Sequence, residues 1–281
     1  MNGQSFHLHS AGFALRALLA AVLILPSVAT GGQIPNIGVF LSQCPDRDPA
    51  YAQIVRDFEL RKDGVLVSEA PCTEPTGTLP IAQYTDTLIT RQGLRVSYYM
   101  DRGQAGHLPW TAGTLYNWMK SKIGGINIVT GGSSGCCVQF GGKTFINVGS
   151  EDDSGRDFDR SWPGISGNIA LYAHEARHVD GFPHSSCCGI ANGCDNTFDQ
   201  ANLSPYGVQW WLDHLWLTGG INVGYECLPP ADVNAANNWF LSSLNGQFRT
   251  RFCANLPAVE AAPATPGGAC PPQPRRRTAR H

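Results

Sequence analysis

Apolar residues recur every three to four positions in two long stretches of the chain. In the first, Leu115, Trp118, Met119 and Ile123 share one side of a helix predicted over 111–123, and Gly124-Gly125 stops it. In the second, Ile165, Ile169, Tyr172 and Ala176 form a core-facing stripe on a helix predicted from about Pro163 to Val179. Shorter apolar runs bounded by turn residues read as strands. Residues 54–60, a Lys62-Asp63-Gly64 turn and Val65-Leu66-Val67 read as a hairpin, and 94–100 reads as a further strand. Residues 126–130 and 144–148 read as two more, joined by a glycine-rich connection, 131–137. Two later helices are predicted: the aromatic-rich stretch 205–217, and 231–244, introduced by Pro229-Pro230.

The chain's ends and cysteines bear on where it works. Arg16 precedes the apolar run 17–25, and Ser27 and Ala29 stand at the spacing a signal peptidase needs. This predicts an export signal over 1–29 cleaved after Ala29, the alternative being an uncleaved anchor; the run is too short for a permanent span. Ten cysteines form an even set, which in an oxidising compartment reads as disulfides. The adjacent pairs Cys136-Cys137 and Cys187-Cys188 are expected to bond outward, because a ring between neighbours is strained. The expected location is therefore secreted or periplasmic. A net charge of −2, with Arg275, Arg276, Arg277 and Arg280 all in the tail, leaves no basic footprint for nucleic acid in the folded part. The Pro- and Ala-rich segment 256–281 is expected to be disordered, although Cys270 could tie it back. One domain, 30–255, remains, with no stable membrane anchor after signal cleavage. Oligomeric state is not legible.

The chemistry is concentrated in His174-Glu175-Ala176-Arg177-His178-Val179-Asp180-Gly181-Phe182-Pro183-His184. On a helix His174 and His178, four apart, lie on one face and can grip one metal ion. Gly181 allows the backbone to leave the helix sharply, bringing His184 round as a third ligand. Three imidazoles leave a fourth tetrahedral position for water, within reach of the Glu175 carboxylate as general base. Asp180 orients a ligand or is an ordinary helix-end carboxylate. His214 and the cysteines Cys187, Cys188 and Cys194 are spare ligand candidates, with solvated histidine and disulfide as the ordinary readings. The loop 131–137 lacks the Gly-Lys-Ser/Thr ending of a phosphate loop. The tryptophans Trp210, Trp211 and Trp216 could hold a sugar or a membrane surface, but pack a core more often.

This string resembles that of the metzincins, a clan of zinc peptidases, over residues 174–184. The resemblance implies an α+β, zincin-like, two-lobed domain with a mixed twisted sheet, an active-site helix and, here, many disulfides. It implies Zn2+ held by His174, His178 and His184, Glu175 as catalytic base, and a protein or peptide substrate. Metzincins also carry a methionine turn beyond the third histidine. This chain's three methionines, Met1, Met100 and Met119, all lie upstream. The turn-like 203–207 stands in a suitable place, where Tyr206 fills that space, approaches the metal or packs on the core. A secreted zinc endopeptidase is thus the leading expectation. Its rivals are an inactive disulfide-rich binding protein that retains zinc, a zinc hydrolase of non-peptide bonds, and a gluzincin-type site using Glu226 or Glu260. Cys44 or Cys72 could also cap the metal, with disulfide use as the default.

Overall fold

A computed structural model describes residues 34, 36–68, 72, 74, 77–79, 85–100, 108–149, 161–184, 193–195, 198–199, 202–253, 256–260, 263–267 and 270. The predicted signal segment 1–29 and the pair Cys187-Cys188 lie outside them. In chain order the helices are α1 (Ile37–Ser42), α2 (Tyr51–Asp57), α3 (Asp86–Tyr99), α4 (Leu115–Lys122), α5 (Trp162–Val179), α6 (Pro205–Thr218) and α7 (Pro230–Ser242). A π-helical turn, Ser243–Phe248, continues α7. The strands are β1 (Glu59–Lys62), β2 (Val65–Leu66), β3 (Gly125–Val129), β4 (Gly135–Phe140) and β5 (Lys143–Gly149).

These strands make one mixed sheet in the order β2-β1-β3-β5-β4. β1, β3 and β5 are parallel, whereas β2 and β4 run antiparallel at the two edges. The centre of the sheet is apolar because it is covered: Leu60, Ile126, Ile128, Ile146 and Val148 are all buried. Asn127 is buried on the sheet as well, and is satisfied by bonds to Asn147 Oδ1 and from the Gly64 amide.

Helix α5 runs through the core. Ile165, Ile169, Tyr172, Ala173 and Ala176 have essentially no exposed surface. Burying an isoleucine side chain contributes about 1.5–3 kcal/mol, so this stripe holds the helix firmly while another face remains for chemistry. Ser161 caps its first turn, with Pro163 inside it. On one side Gly93 of α3 approaches the Tyr172 ring so closely that a Cβ there would lie 3.3 Å from it. On the other side α6 packs antiparallel: Trp162 meets Trp216, and Arg177 donates to the Leu203 carbonyl.

The helices over 111–123, 163–179, 205–217 and 231–244 and the central strands are where the pattern put them, to within a few residues. Two strand expectations fail. Residues 94–99 belong to α3 and 54–57 to α2, although the expected hairpin does form, from Glu59–Lys62 and Val65–Leu66 about a turn at 63–64. In α3 the polar residues Arg95 and Ser97 are buried along with Leu94 and Val96. Arg95 donates to Asp48 Oδ2 (2.6 Å), Gln92 Oε1, Gln43 Oε1 and the Phe40 carbonyl, and lies over the Phe40 ring. Full satisfaction of its donors is what admits a cation to a helix interior face.

The cysteines also depart from expectation. Cys44 bonds Cys72 and Cys227 bonds Cys270, and no described cysteine is free. Cys136 bonds its neighbour Cys137, contrary to the outward pairing expected. The β4–β5 register slips between Cys136 and Val138, so Cys137 falls outside the ladder and the pair does not alternate across the strand. Where it is described, the segment beyond 256 is bonded to the body. Arg249 donates to the Leu256 carbonyl, Asn245 exchanges two bonds with Val259, and Asn237 donates to the Ala264 carbonyl. Among the described residues no helix is long and apolar enough to cross a membrane.

Candidate metal centre

His174 and His178 project from the last two turns of α5, opposite its buried stripe. The helix ends at Asp180, and Gly181 takes a φ of +91°, a left-handed conformation that favours glycine. Arg177 fixes the reversal: its guanidinium lies 3.5 Å from the centre of the Phe182 ring and also bonds Asp180. The chain therefore returns with His184 beside the other two histidines. One ring nitrogen from each of the three lies within 4.8 Å of the others, a grouping that can hold a metal ion.

The outer nitrogens of the three rings explain how the inner ones are aimed. His174 Nδ1 donates to Gln209 Oε1 (2.7 Å), His178 Nδ1 to the Phe182 carbonyl (2.9 Å) and His184 Nδ1 to Asp195 Oδ1 (3.2 Å). With the Nδ1 proton placed on an acceptor in every ring, each Nε2 presents a lone pair. The Nε2 atoms of His174 and His184 are 3.1 Å apart. Imidazole nitrogens bound to one tetrahedral ion at about 2.0–2.1 Å sit about 3.3 Å from each other, so the spacing suits shared ligation. Two facing lone pairs repel unless a cation lies between them. The donor set therefore fits a metal.

The electrostatics agree. Burial holds His174 well below the ordinary histidine range, reinforced by His178 and His184, and burial also lowers His178. Neutral imidazole is the ligating form. Glu175 is 5 % exposed, and one of its carboxylate oxygens is buried without a hydrogen-bond partner. That desolvation pushes its pKa up to about 7.

Tyr206 lies in the first turn of α6, not in a free turn. Its ring stacks on His184 at 4.3 Å and meets His174 edge-on at 4.9 Å. The ring is thus packed on two of the three histidines and, at 6.3 Å, on Phe248. Asp195, 1 % exposed, accepts from His184 with one oxygen and from the Gly207 amide with the other, linking the third histidine to the start of α6.

Other candidates fall away. Asp180 orients no histidine; it pairs with Arg177 and Lys122. His214 stacks on Trp210, apart from the cluster. Cys44, Cys72 and Cys194 are in disulfides, so none is a thiolate ligand. Trp216 is fully buried, and Trp210 and Trp211 pack against the core. Gln209, Asp195 and the Phe182 carbonyl carry the ring orientation and were not legible in the sequence. Only the position of Gln209, three residues after Tyr206 on the same helix face, offered any signal.

The three histidines, Glu175, Tyr206 and Gln209 open into one cleft of about 1190 Å³, walled by the loop 131–134, the start of β4, α5, α6 and Trp239. The loop is held over the end of β5, where Ser134 Oγ accepts from the Gly149 amide and a Cβ on Gly149 would collide with the Gly132 carbonyl at 1.9 Å. No protein-family model, no curated protein and no solved structure matches this chain.

Proposed function

We propose that this chain is an exported zinc-dependent endopeptidase, with His174, His178 and His184 as ligands and Glu175 as general base. The observation that carries the reading is the convergence of three imidazoles, each held at Nδ1 by an acceptor, beside a buried carboxylate with an unpartnered oxygen. Zinc bound there would supply a Lewis acid for a carbonyl oxygen and a water acidified to a pKa of roughly 7. Glu175 takes a proton from the attacking water and passes it to the departing amine nitrogen. Its burial keeps competing hydrogen bonds away from that oxygen. The metzincin-like string, with its helix, glycine turn and third histidine, supports the same assignment, as does a mixed sheet beside the cleft.

A peptide is favoured as substrate by β4. It is the sheet's edge, with no further strand on its outer side among the described residues, and its first residues, Gly135 and Cys136, line the cleft. An extended peptide can add to such an edge through main-chain hydrogen bonds. The disulfides Cys44–Cys72 and Cys227–Cys270 support an oxidising compartment.

The absence of any methionine after Met119 favours the rival, a binding protein that retains zinc without hydrolysis. Cleavage of a peptide library by the mature protein separates the two. The enzyme reading expects cleavage that chelation abolishes and Glu175→Gln reduces by about 10²–10⁴-fold. Undiminished cleavage by Glu175→Gln would overturn the mechanism, and no cleavage by zinc-loaded wild type would overturn the enzyme.

A further inference from the structure

Two buried polar groups in the cleft have no role in the metal site. Both carboxylate oxygens of Asp213 lack a hydrogen-bond partner, and the residue is 0 % exposed. The side-chain amide nitrogen of Asn168, 3 % exposed, is also unpartnered. Orphaned groups of this kind are rare in folded proteins, and a carboxylate is the costliest to leave so.

The helix packing sets them at one level of the same cleft. Antiparallel α5 and α6 place His174 opposite Gln209 and Trp162 opposite Trp216. Asp213 lies about midway between Gln209 and Trp216, and Asn168 midway between Trp162 and His174, so the two stand at the same level along the cleft. Both line the cleft, together with Gly164, Gly167, Leu171 and Trp239. Gly167 has no side chain to fill this end of it, and a Cβ there would lie 3.1 Å from the Trp239 ring. Asn168 is six residues before His174, about 9 Å along the helix at 1.5 Å per residue. The end of the cleft that they form is therefore one long side chain away from the histidines.

We propose that Asp213 and Asn168 form a specificity pocket that takes the cationic head of an arginine or lysine side chain adjacent to the scissile bond. This rests on the peptidase reading. Asp213 offers two acceptors in a fork, the complement of a guanidinium. The apolar stem of such a side chain lies along Leu171 and the Trp239 ring. Asn168 Nδ2 donates to the main-chain carbonyl of the same substrate residue. With no cation near it, the buried carboxyl is held well above the usual carboxylate range, and an entering cation restores its ionised form. An anionic side chain would be repelled, and a purely apolar one would leave both oxygens unpaired.

The test uses the intact zinc-loaded protein and Asp213→Asn, which keeps the side chain's shape and removes its charge. Calorimetry compares n-butylguanidinium with its neutral analogue n-butylurea, and kcat/KM is measured on peptides with arginine or citrulline at each position. The pocket predicts that the cation binds wild type at least tenfold more tightly than the urea does, and that Asp213→Asn loses the difference. It also predicts that arginine-to-citrulline exchange at one position lowers kcat/KM at least tenfold in wild type and less than twofold in the variant. Equal binding of cation and urea by wild type overturns the pocket, whatever the variant does. Cleavage without preference for arginine overturns the specificity role while the peptidase reading stands. Asp213-dependent binding of the cation without cleavage of any peptide retains the pocket and overturns the peptidase reading.

Discussion

Gln209 Oε1 accepts the Nδ1 proton of His174 across 2.7 Å, so a residue of α6 decides which nitrogen of an α5 histidine faces the cleft. Asp195 does the same for His184. Loss of such a partner lowers metal affinity by about 10–100-fold. Gln209→Leu and Asp195→Asn are therefore expected to weaken zinc binding by that order while circular dichroism stays native. Competition with a chelator of known affinity measures it. Unchanged affinity in both variants would mean that the rings are oriented by packing alone.

Tyr206 supports His184 by stacking. An aromatic pair of this kind contributes about 0.5–1.5 kcal/mol beyond area burial. Tyr206→Phe keeps the ring and should bind zinc as wild type does, whereas Tyr206→Ala should bind about 2–10-fold more weakly, as that energy implies. Equal affinities would remove Tyr206 from the support of the site.

Stability away from the site depends on the buried pair Arg95–Asp48, which Tyr99 completes through its hydroxyl. Removing one partner of a buried, fully bonded pair costs about 3–5 kcal/mol. Urea unfolding of Arg95→Ala should show a loss of that size. A change below about 1 kcal/mol, the level of an exposed pair, would contradict the buried assignment.

Asp213 has a pH signature. Its folded pKa is raised by burial, so the native state holds a proton that the unfolded chain releases. Between the unfolded value, about 3.9, and the raised folded value, stability falls as pH increases. Asp213→Asn has no such proton. Its stability relative to wild type should rise steadily as pH increases from about 4, read by thermal unfolding without ligand. A difference independent of pH would show that Asp213 ionises normally in the folded protein.

Short-range patterns were legible in the sequence and long-range ones were not. The stripe Ile165, Ile169, Tyr172 and Ala176 and the string ending at His184 lie within one helix and its turn, where helical geometry alone dictates neighbours. Asp195 and Gln209 reach the histidines only through the packing of α6 on α5, which no local spacing encodes. Residues 94–99 are helical instead of extended, and the partners that hold Arg95 in the interior, such as Asp48 and Gln43, are distant in sequence. β4 was hidden by Gly135, by the glycines of the loop before it and by the Cys136-Cys137 pair, which resembled a stapled loop.

The most direct test is zinc per mole of purified, fully oxidised mature protein, measured beside His184→Ala. The account predicts close to one zinc per chain in wild type and most of it lost in the variant. Wild type that holds no zinc after incubation with the ion, or a variant that holds as much as wild type, would contradict the three-histidine centre.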